Sequence, residues 1–330
     1  MLTVAVEPFF NERDDMRYLV TGGAGFIGSN LAEALLREGN EVVVLDDLST
    51  GKRENMASFS DDPNFTFIEG TITDPATCAR ACEGADYVFH EAALCSVPGS
   101  IKEPVKTDAV NITGSMNVFL AARDAGVKRV VWASSTSVYG DSPVLPNVES
   151  VPLSPLSPYA ASKASGEMLA RAFSEVYDIS IISLRYFNIF GKRQDPFSVY
   201  AAVIPIFVSK LLRGERPIIY GDGEQTRDFV YIDNVVQANI RAATVAGDEY
   251  SGRAFNIGCG TRITINELYR VVADELGMDI EPIREEQRPG EVRDSLADIS
   301  AARKAFGYDP SVDVREGLKR SLAWYRENLV

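Results

Sequence analysis

The feature of this 330-residue sequence that most constrains its fold is a glycine-rich turn near the N-terminus. The apolar residues Tyr18-Leu19-Val20 lead directly into Gly22-Gly23-Ala24-Gly25-Phe26-Ile27-Gly28, and a helix is predicted from Ser29 to Arg37. A second apolar run, from Glu41 to Asp47, follows this helix and ends in two acids. The pattern predicts a βαβ unit whose two strands are parallel and buried within a sheet.

The glycines of this turn also predict a dinucleotide site. Gly22 and Gly25 permit a tight turn and a close approach of the backbone to a pyrophosphate, which then lies at the helix N-terminus. Gly28 allows the helix to pack closely on the strand. Asp46, about 20 residues further along, is placed to accept hydrogen bonds from a ribose diol. Because an acid there disfavours a ribose 2′-phosphate, we expect NAD rather than NADP.

Strands and helices continue to alternate along the first half of the chain. Strands are predicted at 65–69, 87–90 and 129–133, and a helix is predicted at 107–125. The alternation predicts an α/β fold: a doubly wound parallel (Rossmann) sheet with a smaller mixed α/β substrate-binding lobe. The predicted NAD-binding domain comprises residues 1–184, with 228–260 returning to it. The predicted smaller lobe comprises residues 185–227 and 261–330.

Composition excludes several classes of function. A formal net charge of −14 argues against binding to nucleic acid or to an anionic membrane surface, which requires a basic face. The four cysteines contain no CxxC pair and His90 is the single histidine, so neither a metal site nor a histidine-based triad is expected. Residues 1–15 lack a signal-peptide pattern and no apolar run is long enough for a bilayer, so we expect a cytoplasmic protein.

Two residues near predicted strand ends have competing interpretations. Asp74 could accept a hydrogen bond from an adenine amino group, or it could simply cap the helix that starts there. His90 lies on an apolar strand, where a structural histidine with satisfied hydrogen bonds is the more frequent case.

The segment Ser157-Pro158-Tyr159-Ala160-Ala161-Ser162-Lys163 contains the candidate catalytic pair. Ser157 is typical of a helix N-cap and Pro158 of the first helical residue, so Tyr159 and Lys163 lie on one face of a helix. A nearby cation and the helix dipole would both favour the phenolate, which would make Tyr159 a general base. The same spacing also suits a half-buried aromatic residue followed by a solvated charge.

Four ordered motifs together resemble a known family. They are Gly22-x-x-Gly25-x-x-Gly28, Ser134-Ser135-Thr136, Tyr159-Ala-Ala-Ser-Lys163 and Arg185-Tyr-Phe-Asn188. They are similar to the extended short-chain dehydrogenase/reductases, and within these to the UDP-hexose 4-epimerases that act on N-acetylated UDP-sugars. The resemblance extends from about Arg17 to Tyr325.

The resemblance implies roles for residues at matching positions. It assigns catalysis to Tyr159, Lys163 and Ser135, with Thr136 beside them. For NAD, the resemblance and the glycine turn together assign Gly22, Gly25, Phe26, Ile27, Gly28, Asp46, Asp47, Ser49, Thr50, Gly51, Ile72, Asp74, Ala92, Ala93, Asn111, Tyr159, Lys163 and Tyr186. For the UDP-sugar it assigns Ser96, Ser135, Ser137, Asn188, Gln194, Ala202, Val203, Tyr220, Arg227, Arg288, Glu291 and Ser295. For Arg227, an ion pair with Asp228 is the alternative to phosphate binding.

The resemblance also implies a reaction. Tyr159 would remove the proton of the hexose 4-hydroxyl while hydride passes from C4 to NAD, and the 4-keto sugar would rotate and be reduced on its other face. Members that eliminate water carry an Asp-Glu pair where this chain has Thr136 and Ser137, so epimerisation alone is expected.

Ser295 stands where epimerases restricted to UDP-glucose and UDP-galactose carry Tyr. We therefore expect interconversion of UDP-GlcNAc and UDP-GalNAc, with UDP-glucose and UDP-galactose open as secondary substrates.

The alternatives are a UDP-glucose 4-epimerase, a UDP-glucuronate 4-epimerase or, in another class, a non-catalytic NAD-binding scaffold. The resemblance further implies a homodimer formed by helices 107–125 and 158–177. Met116, Phe119, Met168 and Phe173 are the candidate interface residues, and they could equally face the sheet.

Overall fold

The computed structural model describes residues 16–195, 202–287 and 292–328. Its strands, in chain order, are β1 (Arg17–Thr21), β2 (Glu41–Asp46), β3 (Phe65–Glu69), β4 (Tyr87–His90), β5 (Arg129–Ser135), β6 (Ile181–Tyr186), β7 (Asn188–Phe190), β8 (Ile218–Tyr220), β9 (Thr226–Arg227), β10 (Phe229–Tyr231), β11 (Ala254–Ile257), β12 (Ile263–Thr264) and β13 (Ile283–Glu285).

The α-helices are α1 (Phe26–Arg37), α2 (Pro75–Cys82), α3 (Val97–Lys102), α4 (Pro104–Asp108), α5 (Ser115–Asp124), α6 (Pro158–Val176), α7 (Val203–Leu212), α8 (Ile232–Thr244), α9 (Ile265–Leu276), α10 (Ser300–Phe306) and α11 (Val314–Asn328). In the described part of the chain, no helix is both long and apolar enough to cross a membrane.

The predicted doubly wound sheet is confirmed. Seven parallel strands lie in the order β3-β2-β1-β4-β5-β6-β11. The chain leaves β1 towards β2 and β3 and then crosses to β4 on the other side, so the strand order reverses between β1 and β4. In open α/β sheets, ligands bind beyond the carboxyl ends of the strands at such a point.

Both faces of this sheet are covered, which explains the unbroken apolar runs of its strands. Val42 to Leu45 of β2 are completely buried. One face packs against α2, α5 and α6, and the other against α1 and α8. Strands that are buried on both sides need apolar side chains at every position, because neither face contacts water.

A smaller layer follows β6. Strands β8 and β13 pair in parallel and β9 pairs antiparallel with β12, while α7 and α11 pack against α9. β11 returns to the edge of the main sheet beside β6. The exact domain boundaries stay a prediction.

The helix predicted at 107–125 is interrupted. α4 and α5 are separated by a π-helical turn from Ala109 to Gly114, which contains Asn111. The side-chain oxygen of Asn111 accepts from the N–H of Leu94. Its side-chain NH2 group donates to the carbonyl oxygen of Leu94 and to the hydroxyl of Ser162. π turns occur frequently at functional sites, and here the turn aims one side chain at two neighbouring segments.

Two of the four candidate dimer residues face the core, which was the alternative given for them. Phe119 and Phe173 are buried against each other with ring centroids 5.7 Å apart, and Phe119 also meets Trp132. These rings therefore belong to the core beneath α5 and α6. Met168 is 64% exposed, and Met116 packs against the same core as the two rings.

Candidate active site

The glycine turn forms the bottom of a deep cleft. Gly22 has φ +70°, and a Cβ there would lie 2.7 Å from the backbone N of Ala92. A Cβ on Gly28 would overlap the carbonyl oxygen of Gly22. Gly25 is the N-cap of α1, so this helix starts within the turn, three residues earlier than predicted. The turn therefore exposes backbone amides where only glycine leaves space for a phosphate group.

Asp46 lies at the edge of this cleft, beside the glycine turn. Its carboxylate accepts hydrogen bonds from the backbone N–H groups of Ala24 (3.0 Å) and Leu48 (2.8 Å). Burial raises the pKa of Asp46, while these two bonds oppose the rise. The carboxylate is thus oriented by the turn itself, at the edge where a ribose diol is expected.

The cleft has a volume of about 490 Å³ and brings together most residues predicted for the cofactor. Its lining includes Gly22, Gly25, Phe26, Ile27, Gly28, Asp46, Asp47, Ser49, Thr50, Ile72, Ala92, Ala93, Tyr159, Lys163 and Tyr186. Gln194 and Ala202, predicted for the sugar, line it as well. Gly51 packs against Asp46, and a Cβ there would lie 2.8 Å from the carboxylate.

Three other predicted or candidate residues have structural partners. Asp74 caps α2 by accepting from the N–H groups of Ala76 and Thr77, and its contact with adenine stays a prediction. His90 is fully buried between the hydroxyls of Thr21 (2.7 Å) and Ser115 (2.9 Å). Burial lowers its pKa to about 3, so it is a neutral structural histidine. Asn111 uses its amide to hold Leu94 rather than to line the cleft.

The catalytic helix α6 begins as predicted. The Ser157 hydroxyl accepts from the N–H of Ala160 (3.1 Å), and Pro158 occupies the first turn. The N–H of Tyr159 donates to the hydroxyl of Ser100 (3.0 Å), which ties α6 to α3. Tyr159 and Lys163 are 9% and 4% exposed, so the interpretation as a half-buried ring beside a solvated charge was wrong for Lys163.

Burial, rather than the charge of Lys163, is the largest influence on the pKa of Tyr159 in the chain alone. Burial raises the pKa of Tyr159, and a hydrogen bond with Ser135 opposes the rise. The Lys163 ammonium instead donates to the carbonyl oxygen of Ala133 (2.7 Å) and lies 4.9 Å from the centroid of the Trp132 ring. Burial lowers the pKa of Lys163 to about 8. In the chain alone, Tyr159 is therefore a neutral phenol.

Ser135, Thr136 and Ser137 follow the end of β5. The Ser135 hydroxyl accepts from the N–H of Ser137 (3.2 Å) and caps a 3-10 turn from Thr136 to Tyr139. Its hydrogen bond with Tyr159 joins the two predicted catalytic hydroxyls. Among the described residues, the Ser137 hydroxyl is buried and without a partner.

Glu91 is a site residue that sequence reasoning missed. It follows β4 directly, lines the cleft, and accepts a hydrogen bond from the Tyr186 hydroxyl (2.7 Å). Burial raises its pKa to about 7, while Tyr186 and Lys163 oppose the rise. The sequence did contain a signal, which was a carboxylate between an apolar strand and Ala92-Ala93. This position directly follows a central strand, and ligands bind beyond the carboxyl ends of such strands.

A second cavity of about 520 Å³ lies beside the first and shares Ala202 with it. It contains the predicted sugar-nucleotide residues Asn188, Ala202, Val203, Tyr220 and Arg227, and its other walls are mostly apolar. The predicted residues Arg288 and Glu291 lie outside the described residues. Ser96 caps α3, and the N–H of Ser295 donates to the carbonyl oxygen of Thr226 (3.1 Å) beside β9.

The suggested ion pair between Arg227 and Asp228 does not form. Arg227 donates to the carbonyl oxygens of Thr226 and Arg293. The Asp228 carboxylate accepts instead from the backbone N–H groups of Cys259, Gly260 and Ala297. Arg227 therefore contributes a guanidinium to the second cavity, where a diphosphate could accept from it.

The residues present fit a dinucleotide. The glycine turn leaves a cradle that side chains would fill, and Asp46 is oriented at its edge. At the opposite end, among the described residues, the Oε2 atom of Glu91 and the Oε1 atom of Gln194 are buried without partners. Buried polar atoms of this kind normally find a partner, so a ligand with polar groups suits the cleft.

Comparison with known proteins finds matches among UDP-sugar 4-epimerases. Residues 18–258 match the model of the NAD-dependent epimerase/dehydratase family. The chain is 40% identical over 313 residues to UDP-glucose 4-epimerase of Mycolicibacterium smegmatis, covering 94% of this chain and 99% of that protein.

Two solved structures are also similar. UDP-N-acetylglucosamine 4-epimerase of Methanobrevibacter ruminantium, solved with UDP-N-acetylmuramic acid, matches with a TM-score of 0.90 and 42% identity, covering 95% of this chain and 99% of that one. UDP-glucose 4-epimerase of Thermotoga maritima, solved with UDP-glucose, matches with a TM-score of 0.88 and 39% identity, covering 96% of this chain and 100% of that one.

Proposed function

Because this chain belongs to the NAD-dependent epimerase/dehydratase family, we propose that it is a UDP-sugar 4-epimerase acting on UDP-GlcNAc and UDP-GalNAc. The observation that carries the proposal is that Tyr159 and Lys163 line the cleft above the glycine turn, with Ser135 hydrogen-bonded to Tyr159, and that this cleft adjoins a second cavity. All three catalytic side chains are in place, which argues against a non-catalytic NAD-binding scaffold.

The first cavity would hold NAD. The turn from Gly22 to Gly28 would bind its pyrophosphate, Asp46 its adenosine ribose, and Lys163 its nicotinamide ribose. When bound, NAD accepts a hydride from the sugar and returns it, and its oxidised ring adds a positive charge. That charge would favour the phenolate of Tyr159, which burial alone disfavours.

The side chains then divide the proton chemistry. Tyr159 takes the proton of the sugar 4-hydroxyl, and Ser135, hydrogen-bonded to Tyr159, polarises the same oxygen. After the keto sugar has turned over, Tyr159 gives the proton back. Thr136 and Ser137 offer hydroxyls rather than carboxyls beside this pair, so no residue there supplies the acid and base that removal of water requires.

The second cavity would hold the UDP group. Its apolar walls suit a base and a ribose, and Arg227 and Asn188 suit the diphosphate. Ser295 would leave space for a 2-acetamido group, in keeping with the N-acetylglucosamine epimerase among the similar structures. The 40% identical UDP-glucose 4-epimerase favours UDP-glucose and UDP-galactose as the second candidate pair.

A second copy of this chain is the proposed partner. Ile101 of α3, Val105 of α4, and Met168 and Val176 of α6 are 64–81% exposed. These three helices pack against one another, so the exposed apolar side chains lie on neighbouring elements. A homodimer would remove this apolar surface from water.

Separate incubations with UDP-GlcNAc, UDP-glucose and UDP-glucuronate test the proposal. We expect UDP-GlcNAc to be converted to UDP-GalNAc with the highest kcat/KM, as followed by chromatography of the nucleotide sugars. Tyr159→Phe should abolish conversion while NAD still binds. Full activity of that variant would refute the mechanism, and faster turnover of UDP-glucose or UDP-glucuronate would correct the substrate.

A further inference from the structure

Glu91 is a half-buried residue whose carboxyl group the proposed chemistry does not use. Its Oε1 accepts from the Tyr186 hydroxyl (2.7 Å), and that hydroxyl accepts from the Asn239 side-chain amide (2.8 Å). A phenol has one proton, and both Glu91 Oε1 (2.7 Å) and the Asn239 side-chain oxygen (3.1 Å) lie within its reach. The shorter distance, together with the donation from the Asn239 amide, favours Glu91 as the acceptor.

Glu91 lines the cleft, and one of its carboxylate oxygens accepts a hydrogen bond from Tyr186. The other oxygen, Oε2, is buried and, among the described residues, has no partner, so it could interact with a ligand in the cleft.

The sheet order places Glu91 at the redox half of the cleft. The glycine turn follows β1, and Asp46 ends β2 on one side of it, where the adenosine half is expected. β4, β5 and β6 lie on the other side of β1. Glu91 ends β4, Tyr186 ends β6, and Tyr159 and Lys163 of α6 line the same region of the cleft. The nicotinamide half would therefore lie over Glu91.

The charges in this region require a counter-charge. Lys163 is buried and positive, and it lowers the pKa of Glu91 by its charge, so the two groups interact. An oxidised nicotinamide ring would add a second positive charge in the same buried space. Addition of hydride makes the ring neutral. A carboxylate nearby consequently stabilises the oxidised cofactor more than the reduced one, because charges interact strongly where water is excluded.

We propose that Glu91 is the counter-charge that biases the bound dinucleotide towards its oxidised state. The inference rests on the cofactor placement of the proposed function, but it does not depend on which sugar is epimerised. Such a bias would shorten the life of the keto sugar and reduced cofactor, because return of the hydride restores the favoured charge state. It would therefore limit the escape of the keto sugar before its second reduction.

Without cofactor, the other groups around Glu91 do not titrate in the same range. Burial keeps the pKa of Lys163 near 8 and that of His90 near 3, and it raises the pKa of Tyr159 and Tyr186. Asn239 of α8 does not ionise. Between about pH 6 and about pH 7.5, Glu91, with a pKa near 7, changes from mostly neutral to mostly ionised. Since the charge of bound NAD⁺ would favour the phenolate of Tyr159, the pH dependence is measured in the Tyr159→Phe protein, which has no phenol at this position.

The test compares the dissociation constants of NADH and NAD⁺ without any sugar. Full-length protein freed of cofactor is titrated with NADH by fluorescence, and NAD⁺ then displaces it. At about pH 7.5 we expect Glu91→Gln, which keeps the size and the hydrogen bond, to lower the ratio Kd(NADH)/Kd(NAD⁺) about fivefold or more. Glu91→Asp keeps the charge and should retain most of the wild-type ratio. Asp46→Asn, at the adenosine end, should change both constants by the same factor.

The pH dependence of the Tyr159→Phe protein provides a second measurement. Its ratio should fall between about pH 7.5 and about pH 6, because protonation removes the charge of Glu91, and the fall should be lost when Glu91→Gln is added. An unchanged ratio in folded Glu91→Gln, or a Tyr159→Phe ratio that is equal at both pH values, would overturn the inference. Because no sugar is present, such a result would leave the epimerase proposal untouched.

Discussion

At the residue scale, burial rather than residue type decides how the catalytic pair behaves. Tyr159 and Lys163 lie on one helix face as their spacing predicts, yet the Lys163 ammonium is bound to the Ala133 carbonyl oxygen. Desolvation disfavours the charged form of each group, so it raises the pKa of the phenol and lowers that of the amine. For Tyr159 to act as the proposed base, the charge of oxidised NAD would therefore have to offset the effect of burial.

Ser295→Tyr tests the proposed wall of the sugar site. Ser295 lies beside β9, whose Arg227 lines the second cavity. We expect the larger side chain to lower kcat/KM for UDP-GlcNAc at least about tenfold while leaving that for UDP-glucose within about threefold, because only the acetamido group needs the space. Ser300→Tyr, at the exposed start of α10, is the control. Equal effects on both sugars would contradict the argument.

At the element scale, the position of α6 depends on one buried ion pair. Arg185 of β6 donates to both carboxylate oxygens of Glu167 (2.8 and 2.6 Å), and the Ser134 hydroxyl of β5 donates to the same carboxylate (2.5 Å). Glu167 follows Lys163 by one helical turn. The pair therefore anchors the catalytic helix to the two strands whose ends form the site.

Glu167→Ala should destabilise the protein by about 3–5 kcal/mol, because it leaves the Arg185 guanidinium buried without its partner. The measurement is urea unfolding followed by circular dichroism, in which the midpoint should fall. Glu175→Ala, on the exposed end of the same helix, should change stability by no more than about 0.5 kcal/mol. Equal midpoints for the two variants would show that the pair does not anchor α6.

At the scale of the whole molecule, an ion pair links the two sides of the cofactor cleft. Lys52, after β2, and Asp195, after β7, both line the cleft and lie 2.8 Å apart. Their side chains are 51% and 31% exposed, so the pair should contribute little to the stability of the fold.

Because the pair joins the two sides of the cleft, its loss should make the cleft open more readily. Lys52→Ala should speed the release of NAD by about two- to fivefold, which corresponds to the usual contribution of an exposed ion pair. The measurement is stopped-flow release of NADH. Arg303→Ala removes a different exposed pair, with Asp309, and should leave release unchanged. Raising the salt concentration should reduce the difference between Lys52→Ala and wild type, and a difference that persists at high salt would contradict an electrostatic cause.

The proposed dimer is tested by Met168→Asp. A charge in the centre of the exposed apolar surface of α3, α4 and α6 should convert the dimer to a monomer, because burying an unpaired carboxylate is costly. Size-exclusion chromatography with light scattering measures the mass. Val144→Asp introduces the same charge at a 48% exposed position outside these helices. A wild-type protein that is already monomeric would refute the dimer.

Several features could be predicted from the sequence because they depend on neighbouring residues in the chain. The glycine turn, β2 ending at Asp46, the Ser157 cap and the Tyr159–Lys163 spacing all follow from local backbone preferences and from periodicity. The parallel sheet also follows, because alternating strands and helices have few ways to pack. The helices α3, α8 and α10 were missed, although the apolar positions of α8, such as Ile232, Val235 and Val236, recur with helical spacing.

Only the tertiary structure decided the remaining features, because these depend on groups that are distant in the chain. The π turn at Asn111 exists because its amide reaches Leu94 and Ser162, which lie 17 and 51 residues away. Glu91 became a site residue when β6 and α6 brought Tyr186 and Lys163 beside it. By itself, the sequence determined which residues could hold a dinucleotide and move a proton. The charge that each of them carries was decided by packing, since a group's pKa depends on how much water its neighbours exclude.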